Sequence, residues 1–171
     1  MDSLVNDIKN VLSGYSCNYT KIPIDSVKRI HNLLINNIIY DPLNSYEIYY
    51  LGWYYQNVEK DYANMKKYYL MAIDDGNLDA MTNLGLYYNC IEKDYGLMKK
   101  YYFMAIDKDH LCAICNLGGY YEEIEKDYDQ MKKYYLMTID KGYLIAMNNM
   151  ATYYKNIEKD YDQMKKYYKQ K

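Results

Sequence analysis

Three side chains in the middle of the chain have the types and spacing of metal ligands. Cys112 and Cys115 stand at i and i+3 on one helix face, and His110 lies close before them. They supply three ligands, whereas a structural zinc site is closed by four. Neither Cys17, Cys90 nor His31 stands at a spacing that completes the set. The Cys-x-x-Cys segment also lacks the preceding strand of a redox motif. The four cysteines are therefore read as free thiols, and no metal or other cofactor is expected. Glu122 and Glu123 form a carboxylate pair, but neighbours on one helix point to different sides and do not share a substrate. With no Gly-rich phosphate loop, no nucleophile elbow and two histidines far apart, nothing assembles a catalytic centre, and the chain is expected not to be an enzyme. A Lys-Lys pair recurs four times, yet Glu59, Asp61, Asp74 and their counterparts offset it and the net charge is −2. That balance lacks the footprint of a nucleic-acid binder, so the pairs read as solvated helix faces.

What remains is recognition, and it depends on a repeat. Lys-Asp-Tyr recurs at 60–62, 93–95, 126–128 and 159–161, an ungapped period of 33 residues. Met-Lys-Lys-Tyr-Tyr follows at 65–69, 98–102, 131–135 and 164–168, and a Tyr-Tyr pair precedes it at 54, 87, 120 and 153. A period of this length signals helix pairs that bury their faces only by stacking on one another. The repeats are placed at 44–76, 77–109, 110–142 and 143–171.

Each repeat reads as two helices. Asp61, Asp94, Asp127 and Asp160 stand as N-caps of the second, with Gln130 and Gln163 three residues on as capping-box partners. Tyr62, Met65, Tyr69, Ala72 and Ile73 form its apolar stripe. Gly76 and Gly142 close it, with Asp109 in the glycine's place in the second repeat. The first helix is expected over roughly 45–58. Gly52, Gly85, Gly118 and Ala151 in its middle are poor for propensity, which points to close approach of the paired helix. Residues 1–43 break the period: Leu4, Val5, Ile8, Val11 and Leu12 form one stripe, and Val27, Ile30, Leu33, Leu34 and Ile38 a second after Asp25. They are expected to form a two-helix N-terminal cap. The apolar pairs Leu70-Met71, Phe103-Met104 and Leu136-Met137 give way to Lys169-Gln170, as at the end of a stack.

Leu78-Asp79-Ala80-Met81-Thr82-Asn83-Leu84-Gly85-Leu86-Tyr87-Tyr88, followed by Ile91-Glu92-Lys93-Asp94-Tyr95, and Met137-Thr138-Ile139-Asp140-Lys141-Gly142, resemble the Sel-one-like repeat, an αα unit related to the tetratricopeptide repeat. The likeness covers 44–171 and includes Leu-Gly at 51, 84 and 117. The link between the paired helices is shortened around Ile91-Glu92, and methionine at 65, 98, 131 and 164 stands near the family's usual alanine. The resemblance implies an all-α fold, a right-handed αα solenoid of four helix-turn-helix units behind the N-terminal cap. It also implies an adaptor that holds a peptide or protein. The Asn-, Ile-, Lys- and Tyr-rich composition is similar to repeat families of large DNA viruses of amoebae and of some intracellular bacteria, and a viral origin would imply the host cytoplasm.

Comparing the repeats separates columns that stacking requires from columns free to vary. At about 100° per residue the variable columns of the first helix share one side. They hold Tyr46, Tyr49, Trp53, Gln56 and Asn57, then Asp79, Thr82, Leu86, Asn89 and Cys90. The third repeat has Cys112, Cys115, Gly119, Glu122 and Glu123, and the fourth Ile145, Asn148, Thr152, Lys155 and Asn156. The adjoining column carries Tyr50, Asn83, Asn116 and Asn149. An asparagine offers both donor and acceptor to a peptide backbone, and the tetratricopeptide kinship implies that this ladder lines the concave groove. The alternative is a solvated face. Trp53 beside Tyr46, Tyr49 and Tyr50 has the composition of a binding hot spot, or is covered by the N-terminal cap.

Half the residues are apolar, enough for a substantial core, but 27 Tyr stand against one Phe and one Trp, so many hydroxyls must find partners or the surface. No stretch approaches the ~18 apolar residues of a membrane span, and the opening Met-Asp-Ser-Leu-Val-Asn-Asp lacks a leader pattern. A soluble, cytoplasmic protein is expected, without membrane or nucleic-acid partners and monomeric or weakly oligomeric. The competing class is a self-associating structural subunit whose Tyr- and Met-rich ends meet other copies.

Overall fold

The computed structural model describes residues 45–169. The helices expected over 1–43 lie outside the described residues. Those described divide after Met81 into two compact units. Among them there is no strand, only helix pairs.

In each pair the first helix is α-helical for ten residues and then widens into a five-residue π-helical segment. Thus α1 (Ser45–Tyr54) runs into Tyr55–Glu59, α3 (Leu78–Tyr87) into Tyr88–Glu92, α5 (Leu111–Tyr120) into Tyr121–Glu125, and α7 (Leu144–Tyr153) into Tyr154–Glu158. The second helices are α2 (Tyr62–Asp74), α4 (Tyr95–Ile106), α6 (Tyr128–Ile139) and α8 (Tyr161–Lys169). The single α-helix expected over 45–58 is therefore two kinds of helix in series. The shortened link explains the change. Lys60, Lys93, Lys126 and Lys159 take the left-handed conformation, with φ of 58°, 58°, 56° and 58°. The next N–H turns back six residues: Asp61 donates to Tyr55 at 3.0 Å, Asp127 to Tyr121 at 3.0 Å and Asp160 to Tyr154 at 2.9 Å. This is the closure of a Schellman-type cap, with lysine where glycine usually stands.

A left-handed backbone costs a residue with a Cβ about 1–2 kcal/mol, and glycine gives back about 0.5–1 kcal/mol through its freer unfolded chain. Lys126→Gly is therefore expected to raise stability by up to about 1 kcal/mol, read as a higher urea midpoint. A midpoint below that of the parent would show that the lysine side chain stabilises the cap.

The second helices begin as their caps require. Asp61 accepts from the N–H groups of Ala63 (3.1 Å) and Asn64 (3.0 Å), Asp94 from Leu97 (2.9 Å), Asp127 from Gln130 (3.0 Å), and Asp160 from Gln163 (3.0 Å). Each such cap contributes about 1 kcal/mol. The observed bonds at Gln130 and Gln163 come from their backbone N–H groups rather than from capping-box side chains. Gly76 (φ 81°) and Gly142 (φ 78°) end α2 and α6 in the left-handed region, and Asp109 (φ 61°) does the same after α4.

The two helices of a pair close on a glycine and a tyrosine. A Cβ added to Gly52, Gly85 or Gly118 would fall 2.5, 2.6 and 2.7 Å from the nearest ring atom of Tyr69, Tyr102 and Tyr135. All three rings are buried, together with Met65, Met98 and Met131. In the fourth pair Ala151 replaces the glycine, and the corresponding Tyr168 is 42% exposed. Nearer the link, offset ring stacks join the helices: Tyr55 on Tyr68, Tyr88 on Tyr101, Tyr121 on Tyr134 and Tyr154 on Tyr167, with centroids 5.4–5.7 Å apart. The preceding tyrosines place their hydroxyls on a glutamate five residues on: Tyr54 on Glu59, Tyr87 on Glu92 (2.7 Å), Tyr120 on Glu125 (2.6 Å) and Tyr153 on Glu158 (2.6 Å). These four phenols are thus satisfied at the rim of the tyrosine-rich core.

Within the second compact unit the same glutamates join successive repeats. Lys99 Nζ lies 2.8 Å from Glu125 and over the rings of Tyr120 and Tyr121, at 5.0 and 5.4 Å. Lys132 repeats this with Glu158 (2.6 Å), Tyr153 (5.0 Å) and Tyr154 (5.7 Å). Lys99 and Lys132, the first lysines of their pairs and read from the sequence as part of a solvated face, are here clasps on the following repeat, whereas Lys165 pairs with Asp162 on its own helix at 3.7 Å. The second lysine stays on its own helix, with Lys100 and Lys133 over Tyr101 and Tyr134 at 5.3 and 5.4 Å.

The clasp has a pH signature. The lysine bond, then the tyrosine bond, hold Glu125 and Glu158 below the ordinary glutamate value of 4.5. Carboxylates with depressed values stabilise the fold fully above the unfolded value and lose that contribution as pH falls through the folded one. Stability is therefore expected to decline progressively below about pH 4.5, and Glu125→Gln with Glu158→Gln should flatten the decline in a series of thermal melts. An identical acid limb in the double variant would remove the clasp as its cause.

Candidate functional site

In the second compact unit the first helices leave a concavity of about 380 Å³. The chain positions it through the variable columns: α3 and its π segment contribute Leu86, Asn89 and Cys90, and α5 with its segment contributes Cys115, Asn116, Gly119, Glu122 and Glu123. From α7 come Ile145, Asn149 and Thr152. Six residues of the candidate site read from the sequence are thus brought together: Leu86, Cys115, Asn116, Glu122, Asn149 and Thr152. Tyr102 and Tyr135, on the second helices, reach the floor of the groove and were missed. Their signal was the partner column. Gln56 accepts from Tyr69 Oη at 2.6 Å and Glu122 Oε2 from Tyr135 Oη at 2.8 Å, so a long acceptor recurs opposite the buried ring.

The remaining candidates are distributed differently. In the first compact unit Tyr46 is exposed, Tyr49 and Trp53 are half-buried and Tyr50 is buried. Tyr49 stacks on Tyr69 at 5.8 Å, and Trp53 accepts a bond at its carbonyl from Asn57 (2.9 Å). Asp79, of the same unit, is half-buried, as is Asn148 of the other. Thr82, Asn83 and Cys115, expected with Tyr50 on an open face, are 2%, 8% and 4% exposed. The reason is that variable side chains also fill the seam between neighbouring first helices. Thr82 Oγ1 meets His110 Nδ1 at 2.8 Å, Cys112 Sγ meets Tyr143 Oη at 3.1 Å, and Cys115 packs with Met131, Tyr135, Ala146 and Met150. In the first unit Asn77 Nδ2 donates to Ser45 O at 3.3 Å in the same way. The residue before each of α3, α5 and α7 therefore reaches back to the first helix of the preceding pair. The asparagine ladder is correspondingly uneven: Asn83 is buried, Asn116 borders the groove, and Asn149 Nδ2 is 3.3 Å from Tyr135 Oη.

His110, Cys112 and Cys115, considered as metal ligands, have separate partners. Among the described residues no group of three or more His, Cys, Asp or Glu converges on one point. Burial pushes the Cys115 thiol up to about 12, so it is not a thiolate at neutral pH. Glu122 is raised above the ordinary carboxylate range, chiefly by burial and further by Glu123, while the bond from Tyr135 and the charge of Lys126 oppose the rise. Burial and the facing Glu122 also hold the Tyr135 phenol well above its usual value. The arrangement offers amides, carboxylates and phenols for hydrogen bonding.

Neither a protein-family model nor a curated protein matches the sequence. Solved structures do match the fold. A Sel1 repeat protein from Oxalobacter formigenes superposes with a TM-score of 0.61 at 19% identity, over 85% of this chain and 62% of its own. A protective antigen of uropathogenic Escherichia coli strains displaying an SLR fold gives 0.66 at 19% identity, over 99% and 37%. An immunity protein from Pseudomonas aeruginosa gives 0.61 at 18% identity, over 99% and 66%. The chain thus spans between about a third and two thirds of these structures. The likeness is one of fold, and it supports the Sel1-like, all-helical repeat architecture expected from the sequence. No described helix is long and apolar enough to cross a membrane.

Proposed function

We propose that this protein is a non-catalytic scaffold that holds a peptide or protein segment in the groove formed by α3, α5 and α7. One observation supports the reading above others: the concavity is lined largely by columns that differ between repeats, whereas the clasp and ring-stack columns are the same in each. A surface that varies on a constant frame is what an adaptor needs. The free thiols Cys90, Cys112 and Cys115 fit work in the reducing cytoplasm.

The test is site-specific photo-crosslinking in cells. A crosslinker at Asn116 or Thr152 should give a discrete protein adduct, and one at the exposed Asp129 of α6 should not. Equal adducts at all three positions, or none at the first two, would overturn the proposal.

A second reading, self-association, is favoured by apolar side chains left open on the second helices and π segments, among them Phe103, Leu136, Met137, Ile124 and Ile157, each at least 40% exposed. Light scattering separates the two. A scaffold stays near 20.6 kDa at micromolar concentration, and a structural subunit does not.

A further inference from the structure

Some donors of the groove are committed internally: Tyr135 Oη donates to Glu122 Oε2 at 2.8 Å and receives Asn149 Nδ2 at 3.3 Å, and Thr152 Oγ1 donates to Asn148 O at 2.9 Å. Two acceptors stand out beside them. Glu122 has Oε1 open, Glu123 stands beside it, and Asn89 Oδ1 is buried in the same concavity without a hydrogen-bond partner. A buried acceptor without a donor costs about as much as a lost hydrogen bond, and a ligand that brings a donor recovers it. The shortness of Asn89 is part of the geometry. At the corresponding place Gln56 and Glu122 span the gap to the opposing ring hydroxyl, and asparagine is one methylene shorter.

Charge points the same way. No Lys, Arg or His lines the groove, while two carboxylates do. Lys126, the cation that acts on Glu122, is itself exposed at its cap. Leu86 and Ile145 supply apolar walls against which a methylene stem can lie, and Gly119 keeps the floor clear. Acid at this position is confined to the third repeat, because the column reads Gln56, Asn89, Glu122 and Lys155.

We propose that the groove recognises an extended peptide through one basic side chain, arginine or lysine, seated on Glu122 with Asn89 Oδ1 as a second acceptor. A guanidinium, with five donors in a planar fork, fits two acceptors better than an ammonium, so arginine is preferred. This rests on the reading of the groove as a peptide site, and the test keeps the two apart.

The full chain is titrated in physiological salt with four degenerate libraries of end-blocked heptapeptides, the central residue fixed as Arg, Lys, Leu or Glu. The Arg and Lys sets are expected to bind at least about tenfold more tightly than the Leu and Glu sets, the gain of a charge-assisted hydrogen bond. Glu122→Gln should abolish that preference, bringing the Arg and Lys sets to the affinity of the Leu set measured on the same variant. This variant keeps the fold, because glutamine already accepts the ring hydroxyl in the first repeat. Equal binding of all four sets, or a basic preference that survives Glu122→Gln, would overturn the proposal and leave the peptide site intact. No binding by any set, or binding insensitive to Asn116→Trp in the groove, would overturn the peptide site itself and this inference with it.

Discussion

Tyr135→Ala is expected to lower the unfolding free energy by about 3–5 kcal/mol, the range for truncating a large buried ring. Tyr135 is 1% exposed, its ring covers Gly118, and it packs in a cluster with Cys115, Met131, Ala146 and Met150. Its hydroxyl also satisfies the half-buried Glu122. Alanine leaves a cavity and a carboxylate that has lost its donor, and both effects destabilise. Against a typical total of about 5–15 kcal/mol, the loss is large. Urea unfolding followed by circular dichroism measures it. The internal control is Tyr168→Ala at the equivalent but exposed position, which should change stability by less than about 0.5 kcal/mol. Equal effects at 135 and 168 would contradict the described packing.

The second large effect has an unusual sign. Glycine to alanine inside a helix ordinarily stabilises by about 1 kcal/mol. At Gly118 the added Cβ would lie 2.7 and 2.8 Å from two ring atoms of Tyr135, a distance real contacts essentially never show. The ring is confined on its other side by the next repeat, so it cannot give way cheaply. Overpacking of this kind costs about 1–3 kcal/mol, and the net expectation for Gly118→Ala is a loss of about 1–2 kcal/mol. In the Tyr135→Ala background the same substitution should become stabilising, because the clash is gone and the propensity gain remains. A double-mutant cycle reads this change of sign. Gly118→Ala that stabilises the parent protein would show that the two helices do not meet as described.

These two residues also show what was legible in the sequence. Glycine in the middle of a helix is locally unfavourable, so its recurrence at 52, 85 and 118 announced a close neighbour before any coordinates. The caps at Asp61, Asp94, Asp127 and Asp160 were readable for the same reason, since an N-cap is a local interaction between residues two or three apart. The π segments were not readable. Their hydrogen bonds join backbone groups five residues apart and impose no periodic side-chain pattern that differs clearly from an α-helix. Lysine at a left-handed position hides the stop that glycine would have marked. The site was half legible. Sorting columns by constancy found Leu86, Asn116 and Glu122, which border the groove. It put Thr82 and Asn83 on an open face although they are buried, because a seam between repeats can be filled by matched but different pairs, and Cys115 is buried in that seam while also bordering the groove. His110 meets Thr82, and Tyr143 meets Cys112. Variation within such pairs reflects fit to an adjacent repeat, and the sequence alone does not distinguish it from fit to a ligand.

The clasp of Lys99 and Lys132 on the aromatic pair and glutamate of the following repeat refers to nothing beyond that immediate neighbour. An in-frame duplication of residues 110–142 would reproduce every such junction and add one more helix pair to the second unit. A single-residue deletion inside a module would misalign the junctions on both sides of it. Insertion or loss of a whole module therefore preserves the packing of its neighbours, whereas a shift of one residue does not.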